Sequence, residues 1–127
     1  MIKKVIGRCE WFSIPEFEVD WGRGKIDTGV RGSSLHAEKV KSFQKGAEEW
    51  VKFETIDGLN CEAEVIYRSK GGACFIEISV ETLESGSMDL LVELSDRSEK
   101  KYPLSLGRRE LSRFLVDSSE RYLFGKV

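Results

Sequence analysis

Apolar and polar positions alternate along most of this chain with the period-two spacing of β-strands. From Val5 to Ile14, Val5, Cys9 and Trp11 share one side while Ile6, Arg8, Glu10 and Phe12 share the other. Pro15-Glu16 closes that run, and a second segment, Phe17 to Trp21, reaches Gly22-Arg23-Gly24, which reads as a turn into Lys25-Ile26-Asp27. Leu35 to Phe43 reads as a further strand, with Gln44-Lys45-Gly46 as its turn. Trp50 to Phe53 and Leu59 to Tyr67 follow, separated by Asp57-Gly58, a strong hairpin signal. Ser69-Lys70-Gly71-Gly72 turns the chain into Phe75 to Leu83, where Ile76, Ile78, Val80 and Thr82 oppose Phe75, Glu77, Ser79 and Glu81.

Past Glu84-Ser85-Gly86-Ser87, Met88 to Leu94 is a strand and Tyr102 to Leu106 is extended, because Pro103 lacks a backbone donor. Gly107 to Phe114 is the one helical candidate, with Leu111 and Phe114 three apart. Leu115-Val116-Asp117 and Tyr122-Leu123-Phe124 close as short strands. Short strands at intervals of roughly ten residues predict an all-β sandwich or barrel with one small helix. No repeat or linker divides the chain, so residues 1–127 are read as a single domain.

Composition narrows the function classes. Twenty Lys and Arg against 22 Asp and Glu give a net charge of −2, which does not favour nucleic acid as a bulk partner. No apolar run approaches the ~20 residues of a membrane helix, and Met1 to Ile6 lacks a signal-peptide core. A cytoplasmic protein without membrane attachment is therefore expected. Cys9, Cys61 and Cys74 are odd in number and widely spaced, which fits buried thiols rather than disulfides. His36 is the sole histidine and no Cys-x-x-Cys occurs, so no metal is expected. A phosphate-binding Gly-x-x-x-x-Gly-Lys-Ser/Thr loop is also absent from the sequence, and no cofactor is expected.

The candidate chemistry gathers at Lys25-Ile26-Asp27-Thr28-Gly29. At a strand end this string presents the Asp27 carboxylate, lets the Thr28 hydroxyl brace the loop, and uses Gly29 for close backbone approach. Lys25 lies two residues before Asp27 and so projects to the same strand face. An ammonium there opposes proton sharing, so Lys25 would bind an acidic substrate, or Asp27 would work with Lys25, His36 or Thr28 in a single-carboxylate mechanism; a structural ion pair is the plain alternative. Histidine is the residue type suited to proton transfer near neutrality, which makes His36 a candidate, and Ser34 shares its strand face. A Ser34–His36 nucleophile ranks low, because no orienting carboxylate is evident.

Four blocks, in order, carry a family resemblance. Ile6-Gly7-Arg8-Cys9-Glu10-Trp11 resembles the opening of the bacterial retropepsin-like peptidases that include the RimB proteins and carry the label of ATP-dependent zinc proteases. Lys25 to Gly29 with Ser33-Ser34-Leu35-His36-Ala37 resembles that family's Asp-Thr-Gly block. Trp50-Val51-Lys52-Phe53 resembles its Trp-Val-Arg-Phe strand, and Gly107-Arg108-Arg109-Glu110-Leu111 through Phe114-Leu115-Val116-Asp117 resembles its ending. The chain departs from the pattern at Val30 and Gly32, and between Ile56 and Ala73, where the family's arginine-containing segment is not recognisable.

The resemblance implies a closed, barrel-like acid-protease fold and an aspartic-type peptidase, a hydrolase with Asp27, Thr28 and Gly29 as its catalytic loop. A single Asp-Thr-Gly implies a homodimer if two carboxylates are to share a proton. The family's association with glutamate ligases implies a peptide or protein substrate rich in glutamate, such as a glutamylated tail to be trimmed. Lys25, Arg31, Ser34, His36, Arg97 and Arg109 are then the substrate-binding candidates, arginine being suited to bidentate carboxylate pairing. Gly107 and Arg108 are implied to brace the catalytic loop. A non-catalytic β module that binds acidic peptides or a protein partner is the alternative.

Overall fold

The computed structural model describes residues 2–127. Six strands close into a barrel: β2 (Cys9–Ile14), β3 (Val19–Ile26), β4 (Ser33–His36), β9 (Cys74–Thr82), β10 (Gly86–Ser95) and β11 (Leu104–Leu106). Around the ring the order is β10-β4-β11-β3-β2-β9, and β9 pairs with β10 to close it. β1 (Lys4–Gly7) pairs in parallel with β12 (Phe114–Asp117), and β5 (Glu38–Lys45), β6 (Glu48–Glu54) and β7 (Asn60–Glu64) form a separate antiparallel sheet. β8 (Tyr67–Arg68) lies against β9. The all-β barrel expected from the sequence is thus the observed fold.

Alternation builds this barrel wherever one strand face meets the core. Ile76, Ile78 and Val80 of β9 and Leu90 and Val92 of β10 are almost wholly buried. Burying such side chains contributes roughly 1.5–3 kcal/mol each. Leu104 and Leu106 bring β11 into the same core. This late strand inserts between two early ones, running parallel to β3 and antiparallel to β4. The helix that follows is thereby delivered to the loop after β3.

Several boundaries differ from the pattern. The run from Val5 to Ile14 breaks at Arg8, whose amide bonds the Glu120 carbonyl while its own carbonyl receives the Ile26 amide. Val5 is consequently exposed and Ile6 buried. Gly22-Arg23-Gly24 is not a turn but the middle of β3; a Cβ on Gly24 would stand 2.6 Å from the Phe12 ring, so glycine there serves packing. Leu35 to Phe43 divides at Ala37 between two sheets. The helix, α1 (Arg108–Leu111), is one turn, and Phe114 already belongs to β12. Tyr122 to Phe124 is not a strand, because the amides of Leu123 and Phe124 bond the buried Glu10 carboxylate instead of a neighbouring strand.

Cys9 and Cys74 are buried and Cys61 half-buried, all as free thiols. Burial raises the pKa of Cys61 and of Cys74 above the ordinary thiol value. Neither of these two has the depressed value of a reactive nucleophile.

Candidate active site

Asp27 stands where β3 ends. Its amide donates to the Leu106 carbonyl at 2.9 Å, extending the β3–β11 ladder by one bond. The chain then turns: Oδ1 of Asp27 accepts the Gly29 amide at 2.9 Å, and a Cβ on Gly29 would lie 3.1 Å from that oxygen. The other oxygen, Oδ2, lies 3.3 Å from Lys25 Nζ. Asp27 is three-quarters buried while Lys25 is half exposed, so the pair contributes on the order of 0.2–1 kcal/mol to stability. Its weight lies in fixing the carboxylate's position.

Helix α1 braces this loop from behind. The amides of Arg108 and Arg109 donate to the carbonyls of Val30 and Arg31, and Arg108 Nη1 donates to the Thr28 carbonyl at 3.1 Å. Thr28 is therefore braced through its carbonyl, with its side chain on the exposed surface. At Gly107 a Cβ would collide with the Gly32 carbonyl, so only glycine permits the approach. Ser33 Oγ accepts the Gly107 amide at 3.0 Å and donates to the buried Glu110 Oε1 at 2.9 Å. Gly107 thus packs against Arg31 and Gly32, and Arg108 bonds the carbonyls of Thr28 and Val30.

In front of the loop opens a cleft of about 580 Å³. Its floor is one row across four paired strand interfaces: Lys25 registers with Ser105, Ser105 with Ser34, Ser34 with Glu93 and Glu93 with Phe75. Asp27 stands beyond Lys25, and Arg31, Arg97, Lys100 and Arg109 complete the charged lining. Five cations therefore face two carboxylates, Asp27 and Glu93, in a chain whose overall charge is negative. Such a lining favours an anionic occupant.

The Arg97 side chain is clamped from two sides: Nε donates to the Tyr102 carbonyl at 2.9 Å and Nη1 to Ser34 Oγ at 2.8 Å. Burial pulls its pKa down, and the negative charge of Asp27 opposes that pull. Arg109 spends part of its fork on the Leu91 carbonyl and on Glu110.

Of the residues proposed from sequence, Lys25, Asp27, Arg31, Ser34, Arg97 and Arg109 all line the cleft. Thr28, Gly29, Gly107 and Arg108 hold its rim. His36 does not join them: it is buried, and it borders a small apolar void of about 30 Å³ beside Phe12, Ile14 and Leu35. Ser33 and Glu110, which entered only as members of the matching blocks, and Glu93, Lys100 and Ser105, which carried no sequence signal, also belong to the site or its support. Their roles arise from strand register and from the insertion of β11.

One group of potential metal donors exists among the described residues: ligand atoms of His36, Glu38 and Asp96 lie within 4.8 Å of one another. The ring does not offer it a free lone pair. His36 Nδ1 already accepts the Arg97 amide at 2.9 Å, which places the ring proton on Nε2. Asp96 Oδ1 is likewise engaged by the amide and hydroxyl of Ser98.

The fold and the braced Asp-Thr-Gly loop define a retropepsin-like protein. The chain belongs to the RimB-like family, described as "Retropepsin-like aspartic endopeptidase RimB", which matches residues 5–126. It is 32% identical over 139 residues to a "Probable alpha-L-glutamate ligase" of Shewanella pealeana, and 30% identical over 140 residues to one of Desulfotalea psychrophila. These alignments take in 98% of this chain but 30% of the ligases, so the chain spans under a third of the length of those relatives. A crystal structure of a Legionella pneumophila protein of unknown function superposes with a TM-score of 0.83 at 21% identity, covering 95% of this chain and 98% of the other. No helix among the described residues is long and apolar enough to cross a membrane.

Proposed function

We propose that this protein is an aspartic-type peptidase that hydrolyses carboxylate-rich peptides, trimming glutamate from a glutamylated protein tail. The observation that carries the proposal is the placing of Asp27, on a braced Asp-Thr-Gly loop, in a cleft with five cationic side chains. The relatives named as glutamate ligases supply the substrate: a domain whose sequence recurs within such proteins is suited to glutamate chains.

The geometry suits a one-carboxylate mechanism. The Asp27 carboxylate, paired with Lys25 Nζ at 3.3 Å, serves as the base. It takes a proton from a water whose oxygen attacks the scissile carbonyl carbon. The resulting oxyanion is stabilised by the Lys25 ammonium and the clamped Arg97 guanidinium, cations in place before charge develops. Asp27 then returns the proton to the departing amine nitrogen, and the C–N bond breaks. In the homodimer alternative, Asp27 of a second copy supplies the acid; an ammonium beside each carboxylate opposes the sharing of a proton.

A second reading rests on the occupation of both Asp27 oxygens, one by Gly29 and one by Lys25. It makes the cleft a non-catalytic receptor for acidic tails. Incubation with an oligo-glutamyl peptide followed by mass spectrometry separates the two. Shortened products that disappear in Asp27→Asn support the peptidase; binding without products supports the receptor.

A further inference from the structure

We propose that His36 is a positioning residue, a neutral hydrogen-bond acceptor whose Nδ1 sets where Arg97 stands in the cleft. The proposal rests on the peptidase reading only for its kinetic consequence; the clamp itself is a property of the fold.

The imidazole is 1% exposed, at the end of β4. Its own amide is tied to the Pro103 carbonyl at 2.7 Å, and the next amide, of Ala37, to the Ser95 carbonyl at 2.9 Å. The ring therefore has little freedom. Arg97 lies two residues past the end of β10, where the strand ladder no longer supplies a partner for its amide. Nδ1 of His36 supplies it at 2.9 Å.

This bond has a chemical requirement. A ring nitrogen can accept only with its lone pair free, so the proton must reside on Nε2. Nε2 is buried without a well-formed hydrogen bond and lies 3.3 Å from Glu38 Oε1. Glu38 thus faces the N–H side and favours this tautomer electrostatically. On the other side, Asp96 Oδ1 lies 3.8 Å from Nδ1 but is occupied by Ser98, leaving Nδ1 to the Arg97 amide.

The consequence reaches the cleft through Arg97. With its backbone held by His36, its Nε by the Tyr102 carbonyl and its Nη1 by Ser34, two of its five side-chain N–H groups are spent on protein. Three remain for an anionic substrate or oxyanion. A loosened backbone would move that fork, and a misplacement of about 1 Å is enough to weaken a positioned contact severely.

Asparagine and glutamine separate this role from mere packing. The Oδ1 of Asn reproduces an acceptor near the Nδ1 position; Gln places its amide nearer Nε2. In oligo-glutamate titrations on an Asp27→Asn background, we expect His36→Asn to stay within about threefold of the parent and His36→Gln to lose about tenfold. In the active protein the same ordering is expected in kcat more than in KM. Nitrogen-15 NMR of the unsubstituted protein should show an unprotonated Nδ1 and a protonated Nε2. Equal losses in both variants, tracking equal falls in melting temperature, would overturn the proposal, as would a protonated Nδ1. Zinc that titrates stoichiometrically onto the ring and displaces the Arg97 amide would overturn it too. If oligo-glutamate fails to bind the parent, the substrate reading falls, and the NMR result still decides the clamp.

Discussion

Lys25 Nζ lies 3.3 Å from Asp27 Oδ2, the two side chains projecting from the same face at the end of β3. Their spacing of two residues makes this contact a direct product of strand geometry. It also places a cation where proton sharing between two carboxylates is least favoured. Asp27→Asn should therefore lower the rate of oligo-glutamate hydrolysis by at least about 10³-fold with little change in melting temperature. Lys25→Met should lower kcat by about 10–100-fold. A Lys25→Met variant with full kcat would show that Asp27 does not depend on the ammonium, and would revive the symmetric dyad.

Gly107 should tolerate no side chain. In Gly107→Ala the new methyl meets the Gly32 carbonyl, a backbone atom that can yield only if α1 and the Asp-Thr-Gly loop separate. A loss of about 1–3 kcal/mol in urea unfolding is expected, with activity falling further than stability. An unchanged denaturation midpoint would mean that the loop is not held as described.

Glu10 ties the two ends of the described chain together. Fully buried, its carboxylate accepts the amides of Gly7, Leu123 and Phe124 at 2.8–3.0 Å. Glu10→Ala would leave three donors without their partner and should cost about 3–5 kcal/mol. Removing residues 123–127 should cause a comparable loss, and the two changes together should be less than additive, which a double-mutant cycle would reveal.

Two surface carboxylates should shape the acid limb of stability. Hydrogen bonds from the hydroxyl and amide of Ser98 lower the pKa of Asp96, and those of Ser119 lower that of Asp117. A carboxyl depressed in the folded state contributes stability above its unfolded pKa and loses it as pH falls through the folded value. The fall in melting temperature below the usual aspartate range should therefore be shallower in an Asp96→Asn, Asp117→Asn double variant. An identical acid limb would assign it to other carboxylates.

Much of the barrel could be read from local pattern because each strand of β9 and β10 turns one face to the core. Ile76, Ile78 and Val80 record that choice at every second residue. The misread places are those where a single group overrode the alternation. Glu10 captured the amides of Leu123 and Phe124, and the Phe12 ring made Gly24 a packing residue. His36 looked like a cleft residue because it shares a strand with Ser34, yet its ring serves Arg97 from within the core. No spacing along the chain could distinguish those outcomes, since each depends on a partner 61 or more residues away or on another strand.

The sequence by itself determined the β class, the Asp-Thr-Gly loop, the Lys25–Asp27 adjacency and the family, because these are properties of neighbouring residues. Only the tertiary structure decided that β11 runs between β3 and β4. That insertion aligns Lys25, Ser105, Ser34, Glu93 and Phe75 into one floor and brings Arg97 and Arg109 into the cleft that Asp27 lines. The physical reason is that strand pairing joins residues by backbone hydrogen bonds without regard to their distance along the chain. A cleft of mixed strands therefore has no linear signature, even when its central loop does.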